Sequence, residues 1–277
     1  IFVLKSDEVA AITRGTHGNP HHILGMHQCL NDCYVNAYLP RATAAFVLRI
    51  NEETGEPIFK YPMTEIGSQG FFTVKIEDSG AFAYKLITEG EQAAEFYDPY
   101  SFGYSVDPVN VMKVVNGDDG ILSDFHVKDL FGARQITLDG VQGVSFCMNM
   151  PGATRVSVVG DFNGWDGRVN PMRRIDYTDM FELFIPGDLM NTRYKFEALY
   201  RDGNTDIFAD PYAEVYEVAP GNASVLAKLE YSWLDSSYMK KRGSVSAPVN
   251  IYEVHMPTWK RNSDGSVSYT HLTLPTN

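Results

Sequence analysis

Cysteine is scarce in this chain: Cys29, Cys33 and Cys147 are the three present. An odd, widely spaced trio fits no disulfide framework, so a reduced, cytoplasmic setting is expected. Positive charge is also short, with 23 Lys and Arg against 35 Asp and Glu and a formal net charge of −12. Neutralising phosphates needs clustered basic side chains, so nucleic acid is not an expected partner. Nowhere do about 18 apolar residues follow one another, which excludes a helical membrane span. The opening IFVLKSDEVA has four apolar residues before its charges, too few for a signal-peptide core. The chain also starts at Ile1 rather than Met, so the true N-terminus is expected to lie upstream.

What the chain has in quantity is aromatic residues, at 13%, and short apolar runs broken by turn residues. Residues 6–15 (SDEVAAITRG) form the one early helical pattern, with Ser6 as cap and Gly15 as stop. A Gly- and Pro-rich stretch follows with His17, His21, His22 and His27 near Cys29 and Cys33. Its spacing matches no zinc pattern, and it reads as a loop closing over a sheet edge. Between residues 34 and 100 five strand candidates alternate with turns: YVNAYLP, AAFVLRI, PIFKYPM, GFFTVKI and AFAYKLI. This is the texture of an antiparallel sandwich. Residues 104–140 are turn-rich and read as a linker, with one short helix expected at 123–133 (SDFHVKDLFGA).

The strand pattern then restarts, and the halves align. Pro40 pairs with Pro151 (151 − 40 = 111), Tyr84 with Tyr194 (194 − 84 = 110) and Asp98 with Asp210 (210 − 98 = 112). A near-constant offset indicates two tandem copies of one β-sandwich. One feature is not shared. The second copy continues its strand RVSVV into the turn GDFNGWDG at 160–167, where the first has FVLRINEETGEP. Phe162 and Trp165 stand in that polar turn, and a large aromatic there either closes over the core or waits for a flat apolar ligand face.

GDFNGWDG at 160–167, MRR at 172–174, ELFIPG at 182–187, YKFE at 194–197 and DPYA at 210–213 resemble the family-48 carbohydrate-binding module. More narrowly, they resemble the copy preceding the barrel of bacterial glucan branching enzymes. NPHHILG at 19–25 and DPYSFG at 98–103 are similar to the extra N-terminal module of the long form of those enzymes, and NIYEVH at 250–255 to their first barrel strand. The chain departs from the pattern at Cys147 to Met150 and at Met256 to Trp259, and VSYTHLTLPTN from Val267 resembles a translated sequencing adapter.

The resemblance implies an all-β fold of two immunoglobulin-like antiparallel sandwiches. The implied divisions are residues 1–103, a linker at 104–140, the carbohydrate-binding-type sandwich at 141–230, a connector and barrel start at 231–266, and a non-native tail at 267–277. It implies α-glucan and the chain's own catalytic barrel as partners, and no cofactor. No catalytic residue is assigned, because the retaining carboxylate pair, about 5 Å apart, belongs to later barrel strands. Trp165 is implied as a sugar platform, Lys195 as a donor to hydroxyls, and Asn222 or Ser224 as a further contact. The open alternatives are that Trp165 packs on its own sandwich or on the barrel, that Lys195 is solvated, and that Asn222 holds its turn. The second aromatic of glycogen-binding members is replaced by Ile207 or Phe208. The parent reads as a branching enzyme; a stand-alone glycan-binding module or another family-13 enzyme such as a debranching enzyme is the alternative.

Overall fold

A computed structural model of the protein describes residues 4–67, 69–77, 80–91, 93–117 and 130–227, with 232, 234–241, 253, 255 and 261–266. The chain divides into two compact units, Ile1–Leu229 and Glu230–Asn277. The described part of the second unit contains one short helix, Ser236–Lys241. The strand expected at 250–256 and the tail at 267–277 fall almost wholly outside the described residues, as do residues 123–129 of the helix expected in the linker.

The first unit holds two sandwiches. Helix α1 (Ser6–Thr13) leads in; its N-cap is Lys5 rather than Ser6, and Gly15 at φ +68° lies two residues past its end. The first sandwich has eight strands: β1 (Gly25–Cys29), β2 (Asp32–Tyr38), β3 (Ala42–Ile50), β4 (Pro57–Pro62), β5 (Thr64–Ile66), β6 (Phe71–Ile76), β7 (Tyr84–Gly90) and β8 (Ala94–Tyr97). They form two sheets, β1-β2-β6-β5 and β4-β3-β7-β8. Alternate residues of the facing strands, among them Val35, Val47, Ile76, Tyr84 and Leu86, meet in one buried cluster.

The second sandwich repeats this plan. Its strands are β9 (Gly132–Leu138), β10 (Val141–Asn149), β11 (Ala153–Gly160), β12 (Arg173–Arg174), β13 (Met180–Pro186), β14 (Arg193–Tyr200), β15 (Thr205–Phe208), β16 (Val215–Tyr216) and β17 (Ser224–Val225). The sheet β9-β10-β13-β12 matches β1-β2-β6-β5, and β11-β14-β15 matches β3-β7-β8. Even a β-bulge is repeated: the register shifts between Ala42 and Ala44 on β3 and between Ala153 and Arg155 on β11, 153 − 42 = 111 positions apart. Each copy also buries the same hydrogen bond. Tyr84 Oη donates to Asp98 Oδ2 at 2.7 Å, and Tyr194 Oη to Asp210 Oδ2 at 2.6 Å. The core of the second copy is richer in aromatics, with Phe146, Phe181, Tyr194 and Phe196 all buried.

The linker differs from the expectation at both ends. DPVN does not stay a turn. Asp107 caps α2 (Pro108–Asn116) by accepting from the Val109 N–H at 2.9 Å, Pro108 starts it, and Gly117 ends it at φ +65°. Val111 of that helix is buried in one cluster with Cys147 and Met180, so Cys147 is covered by the linker. At the other end, residues 132–138 are not linker at all, because β9 pairs along its whole length with β10.

Candidate functional site

The turn after β11 is organised by one buried side chain, Asn163. Its Oδ1 accepts from the backbone of Gly160 at 2.9 Å and of Trp165 at 3.2 Å. Its Nδ2 donates to the Val158 carbonyl at 2.8 Å and to Asn170 Oδ1 at 2.9 Å. With that amide satisfied, the turn has a set shape. Gly164 and Trp165 follow in succession at φ +63° and +64°. The two aromatics then part company. Phe162 packs against the core, 6.3 Å from the ring of Phe146, while Trp165 remains 37% exposed.

The indole is held at its edge. Trp165 Nε1 donates to Asp161 Oδ1 at 3.2 Å, leaving the ring faces uncommitted in that bond. Asp161 is clamped from β14: Arg193 Nε and backbone N donate to its Oδ2 at 3.0 and 2.9 Å, and Arg193 Nη2 to its Oδ1 at 2.9 Å. Arg193 Nη1 reaches Glu217 Oε1 at 3.2 Å. Glu217 Oε2 accepts from the backbone N–H of Asn222 at 3.2 Å and of Ala223 at 2.9 Å. The Asn222 side chain closes the chain of contacts, its Oδ1 accepting from Lys195 Nζ at 2.6 Å.

Trp165, Lys195 and Asn222 therefore belong to one connected polar network. Arg193 and Lys195 share a face of β14 because strand side chains alternate, with Tyr194 and Phe196 pointing into the core. Ser224 does not join them: it is fully buried, and its Oγ accepts from the Asp210 N–H at 2.8 Å. Of the two residues at the second aromatic position, Ile207 is exposed and Phe208 packs on the core. Asp161, Arg193 and Glu217 were not singled out as site residues from sequence. The available signal was Arg193, two residues before Lys195 on one strand.

The electrostatics suit binding rather than proton transfer. The Arg193 guanidinium beside Asp161 holds its carboxyl below the usual carboxylate range. Backbone N–H donation from Ala223, then the Arg193 contact, does the same for Glu217. Both therefore stay ionised near neutral pH and supply no general acid. What is left is a partly exposed indole connected, through Asp161, Arg193 and Glu217, to an ammonium and an amide. An aromatic ring can stack on a C–H face, and such polar groups can bond hydroxyls.

The histidine-rich loop is used structurally. His21 is edge-on to Tyr100 with centroids 5.0 Å apart, and its burial pushes its pKa down to about 3. His17 Nδ1 accepts from the Asn19 N–H at 3.2 Å. Among the described residues no three His, Cys, Asp or Glu side chains are grouped to hold a metal ion. No helix of the described residues is long and apolar enough to cross a membrane.

Comparison with known proteins separates the two sandwiches. The family described as the alpha-1,4-glucan branching enzyme GlgB N-terminal domain matches residues 5–100. Carbohydrate-binding module 48, described also as the isoamylase N-terminal domain, matches residues 130–213. The 1,4-alpha-glucan branching enzyme GlgB of Paramagnetospirillum magneticum is 36% identical over 264 residues, 94% of this chain and 34% of that protein. The GlgB of Rhodospirillum rubrum is 36% identical over 281 residues, 96% of this chain and 37% of that protein. The chain thus spans about a third of the length of these relatives. Among solved structures, pullulanase type I from Bacillus subtilis, complexed with maltose, aligns at 14% identity with a TM-score of 0.32. That alignment covers 84% of this chain and 29% of the other.

Proposed function

From the premise that residues 5–100 belong to the N-terminal domain family of the glucan branching enzymes and residues 130–213 to carbohydrate-binding module 48, we propose that the chain serves a 1,4-α-glucan branching enzyme as its non-catalytic N-terminal part, and that its second module holds α-glucan. The sugar's apolar face stacks on Trp165, and Lys195 and Asn222 bond its hydroxyls. One observation carries this reading: the turn found in only the second copy leaves its indole partly exposed and connects it, through Asp161, Arg193 and Glu217, to the Lys195–Asn222 pair. The match over residues 5–100 favours a branching over a debranching parent, because that module is described for the branching enzymes. In the parent, the transfer of α-1,4-linked chains to α-1,6 branch points falls to a catalytic barrel, with these modules as its support. No described carboxylate of this chain takes a catalytic part.

Affinity electrophoresis through glycogen-loaded gels tests the binding half. The native chain is retarded and Trp165→Ala is released; equal mobility of the two removes Trp165 from the site. Treating amylose with the parent enzyme tests the other half. Iodine colour falls without release of reducing sugar if the parent branches, and reducing sugar accumulates if it hydrolyses.

A further inference from the structure

The turn that presents Trp165 is also where the second module meets the first. Arg41, in the turn just before β3, donates from Nη2 to the Asn163 carbonyl at 3.3 Å. Its guanidinium lies so close to Gly164 that a Cβ placed there would stand 1.9 Å from Nη2. Farther along, the Arg168 guanidinium is 5.8 Å from the centre of the Tyr38 ring. Tyr100 Oη lies within donating distance of the carbonyls of Val169 at 3.1 Å and Pro171 at 3.2 Å. Contacts from the first module thus fall along the turn, from the peptide just before Trp165 to its re-entry into the sandwich.

Tyr100 packs on the buried core of the second module, but the Arg41 contact does not rest on close packing. A largely apolar cleft of about 290 Å³ opens between the modules here, lined by Tyr38, Arg41, Phe96, Phe162, Asn163 and Leu189 among others. Phe162 ties the turn to the core, but on the cleft side the turn lacks the dispersion contacts of a core segment, so there its geometry depends on the polar anchors that remain. Trp165 needs such anchors more than most residues. It is a bulky side chain at φ +64°, a conformation that persists only where the surroundings over-determine it. Asn163 supplies the anchors within the second module, and Arg41 supplies the one that reaches the Asn163–Gly164 peptide from outside it.

We infer that Arg41 and Tyr100 of the first module are positioning residues for the Trp165 platform, so that both modules build the α-glucan site of the second. The inference rests on the glucan reading above and assigns the first module a role in it. Neither residue touches the sugar; each acts by holding the turn.

The test uses the 277-residue chain, maltoheptaose as the probe, and 5-fluorotryptophan labelling, with the Trp165 resonance assigned by its loss in Trp165→Phe. Arg41→Ala and Tyr100→Phe are expected to weaken maltoheptaose binding by about three- to tenfold, the scale of one lost hydrogen-bonded anchor. The Trp165 ¹⁹F resonance should shift or broaden while the far-UV circular dichroism stays native, and Arg41→Lys should recover part of the affinity. Native affinity in both Arg41→Ala and Tyr100→Phe, with an unmoved resonance, beside a Trp165→Ala that binds weakly, overturns the inference alone. If Trp165→Ala binds as the native chain does, the glucan reading fails, and the ¹⁹F signal still decides whether Arg41 positions the turn. Should Arg41→Ala not fold, Arg41→Lys and Tyr100→Phe decide it.

Discussion

Replacing Trp165 by glycine separates a ligand platform from a structural plug, because either role touches stability and only the platform role touches affinity. The indole is 37% exposed. Taking roughly 250 Å² for a whole tryptophan side chain, that leaves about 90 Å² for a ligand. A pyranose face covering about half of it, with a matching area of its own, removes roughly 90 Å² from water, or about 2 kcal/mol at 25 cal/mol/Å². Loss of the ring should therefore raise the Kd for maltoheptaose by about tenfold to thirtyfold. On the stability side, a non-glycine residue at φ +64° carries strain of about 1–2 kcal/mol that glycine does not. The side chain's one hydrogen bond, to Asp161, is exposed and offsets about 0.5–1 kcal/mol of that. Against this, the covered 100 − 37 = 63% of the side chain, roughly 160 Å², is worth up to about 4 kcal/mol by the same area rule. Trp165→Gly should therefore bind poorly and unfold at a lower denaturant midpoint, as read by isothermal titration and urea melts. A variant that binds normally while losing more than about 2 kcal/mol of stability, the scale of lost packing, refutes the platform assignment and makes Trp165 a packing residue.

Three further outcomes follow from the same geometry. Tyr84→Phe and Tyr194→Phe each leave a buried aspartate without its phenol donor, and should cost about 1–3 kcal/mol apiece in urea unfolding. Asp98 gives a pH signature: burial pushes its pKa from 3.8 up to about 6, so the fold binds this proton more tightly than the unfolded chain does. Its contribution to stability is then fully present below pH 3.8 and is lost as pH rises through about 6. The difference in unfolding free energy between the native chain and Asp98→Asn should accordingly fall by about 3 kcal/mol across that range. Finally, Arg193→Ala removes the largest influence holding the Asp161 carboxyl low, and the pKa of Asp161, followed by ¹³C NMR, should move up toward its ordinary value.

Much of this molecule is legible before any coordinates. The duplication can be read from Pro40/Pro151, Tyr84/Tyr194 and Asp98/Asp210 because each marks a backbone event that both copies need: a turn before a bulged strand, and a buried tyrosine–carboxylate bond closing the sandwich. The aromatic turn is legible too, since Gly and Asn at 163–164 satisfy local φ and hydrogen-bond requirements within a few residues. The helix over Pro108–Asn116 was readable in principle. Asp-Pro signals a helix start as well as a turn, and the choice between them is made by Val111 finding a buried place beside Cys147.

What the sequence determined by itself is the alternation, the repeat and the set of side chains that could meet a sugar. Only the tertiary structure decided which of two neighbouring aromatics turns inward, since Phe162 and Trp165 are equally apolar in a polar turn. Phe162 lies over Phe146 and joins the core, while the left-handed backbone at Trp165 carries the indole outward to Asp161. Tertiary structure alone also joined Asp161, Arg193 and Glu217, which are 32 and 24 residues apart, into the clamp behind that indole. Arg41 and Asn163, 122 positions apart, likewise meet only through the docking of the two sandwiches. Local pattern reaches one turn of chain; contacts at these separations depend on how folded elements pack, and that is where Trp165 acquires its orientation.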